Sequence, residues 1–140
     1  MINGILKAMG AALNAEFGDR YTVIMEENMQ ELNEPCFFIS CINTSVRLFP
    51  GRRYFRNNQF CIQYFPETGR INEECSGVAE RLFSCMEYVS ASGDLMRGAS
   101  MQYKIANGML CFFVNYDCFV RKTGEFIPME SIGIAEYAKG

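Results

Sequence analysis

Between Pro35 and Pro66 the chain reads PCFFISCINTSVRLFPGRRYFRNNQFCIQYFP, two β-rich arms joined through Pro50-Gly51-Arg52-Arg53. β-Branched and aromatic residues fill both arms, and Pro-Gly is a turn signal, so the stretch predicts a hairpin. Each arm outruns the usual strand of about 5–6 residues, which makes the tip project past the body of the domain. On the second arm Phe60, Ile62 and Tyr64 share one face and Cys61, Gln63 and Phe65 the other. The first arm starts apolar on both faces with Cys36, Phe37, Phe38 and Ile39, the pattern of a strand covered on both sides. A helix and a neighbouring subunit are the two candidate covers.

Charge is unevenly placed along this hairpin. Arg47, Arg52, Arg53 and Arg56 crowd its tip, interleaved with Tyr54 and Phe55, in a chain whose formal net charge is -3. The segment just before the hairpin, EENMQELNEP, carries Glu26, Glu27, Glu31 and Glu34 with no basic residue. Its simplest reading is a solvated loop or a short helical turn. Its functional reading is the acidic half of a head-to-tail contact between copies, the heterologous arrangement that closes rings.

Around the hairpin the periodicities are clear. Ile2, Ile5, Leu6, Met9, Leu13 and Phe17 recur at helical spacing and Gly18-Asp19 ends the run, predicting a first helix. Arg20 to Met25 alternates as a short strand, and Pro66 to Gly69 is a turn. A second helix is expected from Asn72 as N-cap, followed by Glu73 and Glu74, with Val78, Ala79, Leu82, Met86 and Val89 as its buried stripe and a break at Ser90 to Gly93. A two-residue turn at Asn107-Gly108 then sets Ile105 opposite Leu110, Tyr103 opposite Phe112, Met101 opposite Val114 and Ala99 opposite Tyr116, every pair apolar. The order is α-β-β-β-α-β-β. This predicts an α+β fold, a mixed, largely antiparallel sheet with two helices packed on it and one long protruding hairpin. Residues 1–140 form a single domain in this reading, with 121–140 either a last strand with a loose end or an arm that docks on a partner. A chain this long can bury roughly 68–70% of its unfolded surface without metals or disulfides. The first residues, MINGILKAMGAALNAEFG, have the pattern of neither a signal peptide nor a membrane span.

The residues argue against an enzyme. With no histidine in the chain, Cys-His and Ser-His nucleophile pairs are excluded. No glycine-rich phosphate loop is present, and Glu73, Glu74, Asp94 and Asp117 have no context that implies a pocket. Seven cysteines invite a metal or disulfide framework, yet the count is odd and no CxxC occurs. Cys36 and Cys41, like Cys111 and Cys118, are spaced to point to opposite faces of a strand. They read as buried free thiols, and neither metal nor cofactor is expected. The cations and rings of 47–56 also suit nucleic acid, as a backbone-plus-stacking surface. Against that reading, a pI near 5.0 leaves no broad basic face. Arginine and tyrosine are equally the residues of protein interfaces, which the balance favours.

The runs RLFPGRRYFRNNQFCIQYFP and MQYKIANGMLCFFVNYDCFV, with the order of elements, resemble the tail terminator proteins of phages and phage-derived particles, most closely those of prophages in Gram-positive bacteria. The resemblance runs from the first helix to about Arg121. It implies a structural, non-enzymatic α+β subunit, assembled in the host cytoplasm, that forms a homo-oligomeric ring, usually a hexamer, on the last ring of a tail tube. Such a ring stops tube growth and offers a platform to neck or head-completion proteins, to the last sheath ring if the tail contracts, and to DNA passing through its lumen. No membrane is involved. The interface residues it implies here are Arg47, Arg52, Arg53, Tyr54, Phe55 and Arg56, with Glu26, Glu27, Glu31 and Glu34 as partners. A third reading leaves the tip merely solvated.

Overall fold

The computed structural model describes residues 2–18, 20–25, 35–91, 93–121 and 126–127. The acidic segment with Glu26, Glu27, Glu31 and Glu34, and the tail beyond residue 127, lie outside the described residues. In chain order the elements are α1 (Ile2–Phe17), β1 (Thr22–Met25), β2 (Cys36–Phe49), β3 (Arg53–Phe65), α2 (Ile71–Cys85), β4 (Tyr88–Ala91), β5 (Asp94–Ala106), β6 (Met109–Tyr116), β7 (Cys118–Arg121) and β8 (Phe126–Ile127). The fold is α+β in the expected order, with β4, β7 and β8 added to it. One mixed sheet runs β1-β2-β3-β6-β5-β4, with β7 beside β3 and β8 beside β7. Only the β1–β2 pair is parallel within that order.

Both helices lie on one face of this sheet, α1 against β1, β2 and β4 and α2 against β5 and β6. The core between them is built from Ile5, Leu6, Met9 and Leu13 of α1, Val78, Ala79 and Leu82 of α2, and Phe37, Ile39, Phe60, Ile62, Tyr64, Leu110, Phe112 and Val114 of the strands. The helical spacing of α1 therefore places its stripe as expected. Gly18 closes that helix at φ 84 with its N–H on the Asn14 carbonyl at 3.0 Å, the left-handed stop that glycine allows. Phe17, Tyr21, Phe37 and Tyr64 continue the core as a chain of ring contacts with centroids 4.9 to 6.1 Å apart.

Three local expectations are corrected. First, α2 begins at Ile71 with Arg70 at the N-cap position, and Asn72 sits inside its first turn. The turn before it is organised by Glu74 instead. Its carboxylate accepts the N–H groups of Glu67 and Thr68, the Thr68 hydroxyl and the Tyr64 hydroxyl. Second, α2 stops at Cys85, and Val89, expected on its stripe, is a buried residue of β4. Third, the β5–β6 register holds only from Asn107-Gly108 up to Gln102↔Phe113, where a bulge shifts it, so that Ala99 faces Asn115 and Gly98 faces Tyr116. Ser100, at φ 53, absorbs the extra residue. The reason is the backbone that crosses here. Gly98 donates to the Glu87 carbonyl at 2.7 Å and Tyr116 to the Met86 carbonyl at 2.6 Å, and a Cβ on residue 98 would stand 2.5 Å from that Met86 oxygen. An unbroken register would turn Ala99 toward this crossing, where only glycine fits.

Candidate assembly surface

β1 covers β2 only from Cys36 to Ile39, so most of the fourteen-residue β2 extends past the parallel pair. A bulge between Cys41 and Asn43 adjusts its pairing with β3, after which the two strands stay in register to Phe49↔Arg53 at the tip. The loop Pro50-Gly51-Arg52 closes with Gly51 at φ 86 and Arg52 at φ 59. Arg52 is exposed and holds a left-handed backbone that a non-glycine residue adopts only under constraint. Arg53 helps supply that constraint by donating from Nε to the Pro50 carbonyl at 3.3 Å.

The tip is braced by β7. Arg53, Tyr54, Phe55 and Arg56 pair with Arg121, Val120, Phe119 and Cys118. The pairs Gln59↔Asn115 and Arg56↔Cys118 belong to a single register, so β6 and β7 are one strand line along β3 interrupted at Asp117. At that point the side chains take over. The Asn58 N–H donates to Asp117 at 3.2 Å, and the buried Asn58 amide donates to the Tyr116 carbonyl at 2.9 Å while accepting from Arg56 Nε at 3.2 Å. Burial raises the Asp117 pKa, and the Asn58 N–H opposes that rise.

The residues expected at the interface divide between the two faces of this hairpin. On the face away from the helices, Phe49, Phe55 and Phe119 form a cluster with centroids 4.8 to 6.4 Å apart. Arg47 lies over Phe49 and Phe55 at 5.3 and 5.7 Å, and Arg53 over Phe119 and Phe49 at 5.1 and 5.9 Å. Stacking on ring faces holds Arg47 extended with its charge at the surface, while Arg53 is half-buried with its Nη1 out of contact with solvent. On the helix-side face Tyr54 packs against the core and Arg56 binds Asn58, while Val46 and Leu48 on the partner strand are 54% and 70% exposed. The structure thus brings Arg47, Arg53 and Phe55 together, leaves Arg52 outermost, and turns Tyr54 and Arg56 to the other side.

Phe49, Phe119, Val46 and Leu48 were not singled out by the sequence reading. For Phe119 a signal existed: carrying the Asn107-Gly108 line past Tyr116 leads the strand to the hairpin tip. The cysteines behave as their spacing predicts, Cys36 and Cys41 falling on opposite faces of β2 and Cys111 and Cys118 on opposite faces of the β6–β7 line. All seven are free thiols, and burial pushes Cys61 and Cys118 up to about 11 and Cys85 to about 12, away from thiolate chemistry.

The hairpin tip thus carries exposed Arg47 and Arg52 beside an aromatic cluster braced by β7. Over residues 4–127 the chain matches the family described as phage tail terminator protein, and it belongs to that family. Its members are structural components of the virion tail and not typically enzymes. Sixteen chains of solved structures also match. One of them aligns over 81% of this chain and 92% of its own at 14% identity, with a TM-score of 0.39. No curated protein matches the chain. No described helix is long and apolar enough to cross a membrane.

Proposed function

We propose that this chain caps the tail tube as a homo-oligomeric ring, hexameric by analogy with its family, ending tube polymerisation and forming the platform on which neck or head-completion proteins dock. In a contractile particle the same ring meets the last sheath ring. The observation that carries this reading is the braced tip: a family member in which Arg47 and Arg53 stack on an aromatic cluster at the end of the longest hairpin, with Arg52 exposed beyond them. Preorganised guanidinium groups form charge-assisted hydrogen bonds to carboxylates at a small entropy cost. In this proposal they meet carboxylates of a neighbouring copy, for which Glu26, Glu27, Glu31 and Glu34 are the candidates, or of the tube.

Substituting Arg52→Glu together with Arg53→Glu tests it. The variant is expected to keep the wild-type circular dichroism spectrum and to lose ring formation and arrest of tube growth. A double variant that caps tubes normally removes the tip from the contact. The nucleic-acid reading of 47–56 has less support, because Tyr54 packs on the core and Phe55 is occupied by Phe49 and Phe119, leaving few open rings for bases. Arginines lining a DNA channel predict binding that falls steeply with salt, and the docking reading predicts none.

A further inference from the structure

We infer that the open outer edge of β2 in one copy pairs, strand against strand, with the open outer edge of β5 in the next copy, so that the sheet continues from subunit to subunit. The inference rests on the ring proposal and names the main-chain contact within it.

The two edges stand at opposite ends of one sheet. Beyond Ile39, β2 has no partner on its outer side among the described residues, since β1 stops at Met25. Beyond Gly98, β5 likewise has none on its outer side among the described residues, since β4 pairs only with Asp94 to Arg97 and the Gly98 N–H is taken by Glu87. An open strand edge is a row of unpaired donors and acceptors, and soluble proteins normally guard it with inward charges, proline or a covering element. The β2 edge carries one further kind of guard, the bulge between Cys41 and Asn43, yet beyond it exposes Val46 and Leu48, at 54% and 70%. A contact between unlike edges is heterologous and repeats around a ring, which suits identical subunits.

Direction, face and charge all agree with this pairing. Following the antiparallel pairs from β2 through β3 and β6, β5 runs opposite to β2, so a neighbour's β2 placed beside it keeps the antiparallel alternation. Val46 and Leu48 lie on the helix-side face of the sheet, as do Tyr103 and Ile105, paired with the core residues Phe112 and Leu110. A register that sets Val46 opposite Tyr103 also sets Thr44 opposite Ile105 on that face, and brings Leu48 to Met101 where the β5 bulge ends the regular pairing. On the other face the same register sets Arg47 opposite Gln102 and Ser45 opposite Lys104, so no like charges meet directly. The open part of β2 lies toward the tip and the open part of β5 toward the Asn107-Gly108 turn, so the pairing staggers successive subunits along the strands. Sheets that close on themselves require such a stagger. The tip loop stays outside the paired stretch and keeps its carboxylate contact.

Two variants with one edge blocked each provide the test, Val46→Lys with Leu48→Lys on β2 and Tyr103→Lys on β5, each checked for the native fold by circular dichroism. Under conditions in which wild-type protein forms rings, each variant alone is expected to stay monomeric by light scattering. Their mixture is expected to form a one-to-one species of twice the monomer mass and to stop there, because only one intact edge pair remains. Either variant forming rings alone, or the mixture staying monomeric, overturns the inference, and Tyr103→Lys dimerising alone would point to β2 pairing with itself. Hydrogen exchange on unmodified rings gives an independent reading: backbone amides of 42–48 and 99–106 should slow together on assembly. Rings that form with both stretches still exchanging freely refute the edge pairing and leave the ring proposal standing. Wild-type protein that forms no ring even on tube ends refutes both.

Discussion

Gly98 shows how a single atom can set a strand's register. A methyl group there would meet the Met86 carbonyl oxygen at 2.5 Å and the Val114 side chain at 3.0 Å, and the first of these is backbone that cannot rotate away. Gly98→Ala is therefore expected to destabilise the fold by roughly 1–3 kcal/mol, the usual range for an overpacked site. Thermal unfolding would read it as a lowered Tm with unchanged oligomer chemistry. An unchanged Tm would mean that the α2–β4 crossing yields. The crossing itself was not legible in the sequence. The Asn107-Gly108 turn was, because both residues take positive φ, 54 and 76, as the dipeptide predicts. From there the alternation Leu110, Phe112, Val114, Tyr116 gives the buried face of β6 correctly. What it cannot give is the bulge at Ser100 and Met101, since Met101 and Ala99 look as suitable for the core as the true register does, and only the tertiary crossing at Gly98 decides between them.

At the scale of elements, the β3–α2 corner depends on Glu74. Burial alone would raise its pKa, but hydrogen bonds from Thr68 and Tyr64 and the charge of Arg20 outweigh that, and the net shift is downward from 4.5. A carboxyl group lowered in the folded state contributes stability above its ordinary pKa and loses it as pH falls through the folded value. Glu74→Gln should thus cost about 1–3 kcal/mol near neutral pH, from donors left poorly matched. Below pH 4.5 the gap between variant and wild type should narrow, measured by denaturant unfolding across pH 3–7. A gap independent of pH would deny the carboxylate its role. Asp117, raised by burial, shifts wild-type stability in the opposite sense, and comparing the two proteins at each pH cancels it. Propensity alone suggested Asn72 as the cap, because short polar residues cap helices. The corner is held instead by Glu74, which accepts from the Glu67 and Thr68 N–H groups, a contact between a helix and the turn before it that local pattern does not reveal. For the same reason the sequence puts Val89 on the helix stripe and a break at Ser90 to Gly93 where β4 lies: Val89 fits either period, and four residues are too few to tell them apart.

For the whole molecule, the two long arms and their basic tip were visible as sequence, because strand length and charge placement are one-dimensional properties. The brace was not, because Phe119 reaches Phe49 and Phe55 only once β6 continues into β7 along β3. That brace ties the hairpin tip to the strand line of β6 and β7, and among the described residues β2 beyond Ile39 and β5 beyond Gly98 have no strand on their outer sides. The ring proposed above would complete that sheet with further copies of the chain. Electron microscopy of tail tubes grown with the purified protein tests this most directly. The account predicts a symmetric ring of this chain at one end of each tube and tubes that do not lengthen once it is seated. Bare tube ends, with the protein still monomeric by light scattering and tubes growing unchecked, would contradict it.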